Sequence, residues 1–169
     1  MIEDLTPEEA QRVLRALLRA HADLVGEAEA IARCQWEEFD ALNIAEAIVG
    51  DVLQLDIQDL NHRTAYPEDW VSPGEAAWQL CDEVLQPWQF EWDRMVRLGR
   101  DQDASEVLQG ILLGLYRLSQ IDHEVLNWCP DYPSETAKVW SDRVRKECSD
   151  LTLPPATREQ LGEWSAWFD

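Results

Sequence analysis

The sequence predicts an all-α protein of six to seven helices, packed as antiparallel hairpins in a bundle or a short helical-repeat-like array. Two stretches, Thr6–Glu9 and Ser72–Glu75, each contain a capping residue, a proline suited to the first helical position and a glutamate that can complete a capping box. Apolar residues then recur at helical spacing, and no segment alternates with the period of a strand. We therefore expect almost no β-sheet.

Three helices are expected in the first third of the chain. The first runs from the Thr6 cap to about Ala20, the second begins near Asp23, and the third begins near Asp40. Each has apolar side chains on one face, which is typical of a helix packed against a core. The stretch Asn61–Pro67 then loses the helical period and is expected to be a loop.

A long helical segment follows, from the Ser72 cap to Leu98. Pro87 lies inside it and is expected to kink or break the helix near Gln86, because proline lacks the amide hydrogen that a helix interior needs. Gly99 is the expected end of this segment.

The next helix runs roughly over Ala104–Ser119. It is almost wholly apolar between Val107 and Leu118, so it is the best candidate for a central, buried helix. Gly110 and Gly114 lie four residues apart on one of its faces. Because glycine has no side chain, a neighbouring helix can approach closely there, which would offset the cost of glycine in a helix.

The C-terminal region is expected to begin with a rigid aromatic turn at Trp128–Pro133. A sixth helix follows to about Glu147, and Pro154–Pro155 interrupts the chain again. Thr157 is expected to cap a short last helix. We expect the whole chain to form one domain, with sub-halves 1–63 and 72–169 joined by the loop 61–71.

The chain carries 34 acidic and 14 basic residues, a formal charge of −20. DNA, RNA and anionic lipid are each bound through lysine and arginine, so this charge argues against them and favours a basic protein partner. From His21 to Asp93 there are 17 acidic residues against Arg33 and Arg63. Most of the excess therefore lies in the first half.

The start of the chain lacks the pattern of a signal peptide, and the longest apolar stretch, Ile111–Leu118, is far too short to span a bilayer. We expect a cytoplasmic protein that does not bind membranes. Its four cysteines form no Cys-x-x-Cys pair, so reduced thiols are expected rather than a zinc ribbon or a redox motif.

No residue cluster in the sequence specifies a chemistry. The spacing Asp59-x-x-His62 is half of a helical carboxylate site and has no second half, and the glycines form neither a nucleophile elbow nor a phosphate loop. We therefore expect no catalytic residues, no metal and no cofactor. An undetected hydrolase or metal-dependent enzyme is the third hypothesis for function.

Two groups of residues are proposed as contact surface. The first is the aromatic C-terminus, because aromatic residues are enriched at the centres of interfaces and a chain end usually frays unless it docks. The second is the acidic first half. The residues are Trp164, Trp167, Phe168, Glu37, Glu38, Asp40, Asp51, Asp56 and Asp59.

Three stretches, Pro73–Trp78, Gly110–Tyr116 and Cys129–Pro133, occur in an order that resembles the uncharacterised helical region of some bacterial SWIM zinc-finger proteins and their stand-alone relatives. The resemblance covers about residues 72–152 and implies a bacterial interaction module of helical hairpins. The chain lacks the Cys-x-Cys and Cys-x-His pairs of the zinc finger itself, so zinc and nucleic-acid binding do not carry over.

The expected function is therefore non-catalytic protein–protein interaction. The alternative is a DNA mimic, or sequestering protein, whose carboxylates bind a basic nucleic-acid-binding partner where phosphates would lie. The two differ in salt dependence, because contacts between exposed charges weaken as salt screens them, whereas an aromatic contact persists. The sequence does not decide whether the chain forms a homodimer.

Overall fold

The computed structural model describes residues 5–35, 39–64, 71–148 and 152–168. These residues form eight α-helices and no strand, so the predicted all-α class is confirmed, while the predicted count of six to seven helices is too low. The helices are α1 (Pro7–Ala20), α2 (Val25–Gln35), α3 (Ala41–Gln54), α4 (Ile57–Thr64), α5 (Pro73–Arg97), α6 (Asp101–Leu118), α7 (Tyr132–Glu147) and α8 (Pro155–Leu161). None of them is long and apolar enough to cross a membrane.

The chain divides into two compact units, residues 1–38 and residues 39–169, so the division falls well before residues 61–71, which the sequence predicted as the joining loop. The first unit contains α1 and α2, linked by a 3-10 turn at Ala22–Leu24. The capping box that starts α1 is present: the Glu9 amide donates to Thr6 Oγ1 at 3.3 Å, and the Thr6 amide donates to Glu9 Oε2 at 2.9 Å.

Helices α3 and α4 open the second unit. Asp40 caps α3, accepting a hydrogen bond from the Asn43 amide at 2.9 Å. Asp56 then accepts from the amides of Gln58 and Asp59 and so starts α4, whose Leu60 is buried. The prediction of a loop from Asn61 is therefore wrong for residues 61–64, because this cap and the buried leucine hold them in a helix.

Helix α5 begins at the predicted cap, where the Glu75 amide donates to Ser72 Oγ at 3.2 Å. It then runs for 25 residues without a break, so of the kink or break predicted near Gln86 the break is wrong. Pro87 is exposed, and its missing amide hydrogen removes only one hydrogen bond of the helix. Leu85 before it and Trp92 after it are buried in the core, so the helix stays packed on either side of the proline. Gly99, at φ 64°, ends the segment as predicted.

Helix α6 is the central helix, as predicted, and is buried along most of its length. It contacts α3, α5, α7 and α8. The close approach expected at its two glycines is confirmed, because Gly110 lies against Ile44 and Gly114 lies against Ile48, both on α3.

The C-terminal region contains α7, α8 and a 3-10 segment, Gly162–Phe168. Thr157 lies inside α8 rather than at its start, so the prediction that it caps the helix is wrong. Its hydroxyl is buried and donates to Gln109 Oε1 on α6. This bond satisfies two buried polar side chains and joins α8 to the central helix.

Candidate binding pocket at the start of α5

An open pocket of about 530 Å³ lies between the first turns of α5 and the segment Trp128–Asp131. Two tryptophans, Trp78 and Trp128, line it together with two carboxylates, Glu75 and Asp131. Both carboxylates are exposed. The pocket therefore combines aromatic surface with negative charge.

Gly74 sets how closely the two sides of the pocket approach. A Cβ atom at this position would lie 3.0 Å from the Trp128 carbonyl oxygen, a contact that a backbone atom cannot easily relieve. On the other side, Val125 and Leu126 are buried and anchor the segment that carries Trp128. Glycine at position 74 thus lets Trp128 lie against the start of α5.

The ring of Trp78 is positioned by a chain of contacts below the pocket. It packs edge-to-face on Tyr132, with ring centroids 5.0 Å apart, and the Tyr132 hydroxyl donates to Asp82 Oδ1 at 3.1 Å. Burial raises the pKa of the Tyr132 hydroxyl, so tyrosine stays the neutral donor. Burial also raises the pKa of Asp82 above its ordinary value, although the hydrogen bond from Tyr132 acts in the opposite direction.

Two free thiols lie beside this chain of contacts. A hydrogen bond from the Cys81 thiol to the Cys129 sulfur, together with burial, raises the pKa of Cys81. The same hydrogen bond lowers the pKa of Cys129, although burial acts to raise it. Cys129 lines the pocket, whereas Cys81 is fully buried. In the described part of the chain no three His, Cys, Asp or Glu residues are grouped to hold a metal ion.

The aromatic C-terminus predicted as contact surface packs on its own domain. Trp164 is 6% exposed, lies edge-to-face on Tyr116 at 5.3 Å and stacks on Trp167 at 5.0 Å. The Trp167 carbonyl accepts a hydrogen bond from Ser141. Trp164 is therefore a core residue, and of the three only Trp167 and Phe168 keep partly exposed surface.

The predicted acidic residues have different roles in the structure. Asp40, Asp56 and Asp59 accept backbone hydrogen bonds at the starts of α3 and α4, although all three remain exposed to solvent. Asp51 is exposed on α3. Glu37 and Glu38 lie outside the residues that the structure describes.

The four residues that give the pocket its character were not predicted from the sequence as a site. Glu75 and Trp128 were noticed only as parts of a helix cap and a rigid turn, and these two signals lie more than 50 residues apart. The structure brings the two stretches together through α5 and the 3-10 turn Leu126–Trp128. Local spacing contains no information about such a contact.

Comparison with protein-family models, with curated proteins and with solved structures gives no significant match to the chain. The resemblance to the helical region of SWIM zinc-finger proteins therefore stays a prediction, and the function is inferred from the geometry and charge of the molecule.

Proposed function

We propose that the chain is a non-catalytic module that binds a basic partner protein. The observation that supports this most strongly is the excess of carboxylates on the second unit, where residues 39–169 contain 25 acidic and 10 basic residues, a net charge of −15. A surface of one charge raises the local concentration of oppositely charged partners and speeds their association.

The second unit's own basic residues do not neutralise this excess. Most of those that the structure describes already pair with an acidic neighbour, so they add no free positive charge. The pairs are Arg63–Glu83, Arg94–Glu91, Arg100–Asp103, Lys138–Glu135, Arg143–Asp93 and Arg145–Asp142. Most of the remaining carboxylates in the described part of this unit are exposed, so an external cation can reach them.

Glu46 and Asp51 on α3 are the carboxylates best suited to a test. Both are exposed, and neither caps a helix in the way that Asp40 does. Their neutralisation should therefore leave the fold unchanged. Glu159 and Glu163, exposed on α8 and the segment after it, provide a matched control that removes the same number of charges elsewhere.

The experiment is affinity capture from a nuclease-treated native lysate, with elution in rising salt. We expect a basic partner that the wild type and the control Glu159→Gln/Glu163→Gln retain, and that Glu46→Gln/Asp51→Asn releases at lower salt. Equal release from both variants would show that only net charge matters and would contradict a specific acidic surface. The sequestration hypothesis predicts one different outcome. The captured partner would be a DNA-binding protein, and added DNA would displace it from the chain.

A further inference from the structure

We propose that the pocket between Trp78 and Trp128 binds the guanidinium group of an arginine side chain, held by Glu75 and Asp131. This inference rests on the proposed function, because it names the side chain through which a basic partner docks. The pocket's volume, about 530 Å³, accommodates an arginine side chain together with part of the backbone that carries it.

The same domain contains a filled site of this composition. The Arg143 guanidinium carbon lies 4.5 Å from the ring centroid of Trp92 and 5.2 Å from that of Trp140. Its nitrogens pair with Asp93 and with Glu147 Oε1, the latter at 3.3 Å. Two tryptophans and two carboxylates thus hold one half-buried guanidinium group of the protein's own chain.

The pocket repeats that composition without a cation. Trp78 and Trp128 supply the aromatic faces, and Glu75 and Asp131 supply the carboxylates. Gln79 also lines the pocket, but its Oε1 already accepts a hydrogen bond from Arg63 Nη1 at 3.3 Å. No lysine or arginine is among the described residues that line it. A guanidinium group from outside would therefore complete the arrangement that Arg143 completes internally.

Arginine fits this arrangement better than lysine. A guanidinium group is planar, so it stacks on a tryptophan face while its edge donates two parallel hydrogen bonds to a carboxylate. An ammonium group is more strongly hydrated and cannot do both at once. An anionic ligand is disfavoured, because both charged residues of the pocket are acidic.

The aromatic part of the pocket is already in place before a ligand arrives. Tyr132, itself bonded to Asp82, fixes the ring of Trp78, and Gly74 lets Trp128 approach α5. Trp128 is 50% exposed, so a ligand can cover a face that water now contacts. A site that needs little rearrangement loses less binding free energy to ordering.

The test is an NMR titration of the full chain with three capped tripeptides, acetyl-Gly-X-Gly-amide, in which X is arginine, citrulline or lysine. Citrulline has nearly the shape of arginine but no charge. We expect the arginine peptide to shift the indole signals of Trp78 and Trp128 and to bind about tenfold more tightly than the citrulline peptide. Lysine should fall between them.

Two variants locate the binding. Glu75→Gln/Asp131→Asn and, separately, Trp128→Ala should each weaken the arginine peptide about tenfold, whereas Glu159→Gln/Glu163→Gln should not weaken it. Equal binding of the citrulline peptide, or equal loss in the control, would overturn the inference. If a basic partner is captured but the arginine tripeptide does not shift these signals, the arginine-binding pocket is contradicted and the proposed function stands. If the tripeptide shifts the signals but no basic partner is captured, the pocket stands and the proposed function is contradicted.

Discussion

Gly110 of α6 and Ile44 of α3 lie so close together that a Cβ atom at position 110 would fall 2.5 Å from the Ile44 Cβ. The same atom would lie 3.0 Å from the Ala41 carbonyl oxygen. Neither neighbour is the flexible end of a long side chain, so the two helices must separate to admit a methyl group. The packing of α3 on the central helix thus depends on glycine at this position.

Gly110→Ala is therefore expected to destabilise the protein by about 1–3 kcal/mol, the usual cost of overpacking a core. Gly50→Ala is the matched control, because Gly50 also lies within a helix but has nothing within 4 Å of its Cβ position. That control should gain up to about 1 kcal/mol from helix propensity. Urea denaturation measures both, and a Gly110→Ala protein as stable as Gly50→Ala would contradict the close approach.

Gly74→Ala is expected to displace the segment that carries Trp128, because the added methyl group would press on the Trp128 carbonyl oxygen. We expect a stability loss of about 1 kcal/mol and a shift of the Trp128 indole signal in the NMR spectrum. Gly26→Ala, where the added Cβ atom meets nothing, should leave that signal in place. An unchanged Trp128 signal in Gly74→Ala would show that glycine at position 74 does not shape the pocket.

Tyr132→Phe removes the donor that lowers the pKa of Asp82, so we expect that pKa to rise further. Loss of the hydrogen bond should cost about 1 kcal/mol at neutral pH. A carboxyl titration by NMR measures the pKa. Tyr116→Phe is the control, because Tyr116 packs on Trp164 rather than on Asp82, and an Asp82 pKa that responds equally to both changes would contradict the assigned bond.

The raised pKa of Asp82 also makes the stability of the fold depend on pH. Because the folded state takes up this proton at a higher pH than the unfolded chain, the contribution of Asp82 to stability increases as the pH falls through its folded-state pKa. The increase is complete below the unfolded value of about 3.8. Tyr132→Phe should move the start of this window to higher pH, which urea denaturation at several pH values can detect.

Arg143→Lys is expected to destabilise the domain by about 1 kcal/mol, although the charge is conserved, because lysine cannot stack on Trp92 and bind Asp93 with the same group. Arg94→Lys is the control, since Arg94 is exposed and pairs only with Glu91 among the described residues. Thermal unfolding of both variants measures the difference. Equal stability would contradict a preference of two tryptophans and two carboxylates for guanidinium over ammonium.

Local signals in the sequence predicted the starts of α1, α3 and α5 correctly. The Thr6, Asp40 and Ser72 caps act on amides only two or three residues away, so the sequence alone contains the whole interaction. The buried character of α6 and the close approach at Gly110 were likewise predicted, because two glycines on one face of a long apolar helix are typical of a helix that packs closely on a neighbour.

The errors arose where a distant contact outweighs a local signal. Thr157 has the residue type of a cap, but its hydroxyl bonds to Gln109, 48 residues earlier, and this contact places it within α8. The pocket likewise depends on a distant contact, because Glu75 and Asp131 come to line one pocket only when α5 packs against the turn at Leu126–Trp128. Spacing along the chain cannot reveal either contact.

The central claim, that the chain binds a basic partner, is tested most directly by affinity capture with the wild-type protein beside an inert protein of equal negative charge. We predict at least one basic protein that the wild type retains from nuclease-treated lysate and that the inert protein does not. A captured set that is the same for both proteins would contradict the claim, because the acidic surface would then act through charge alone.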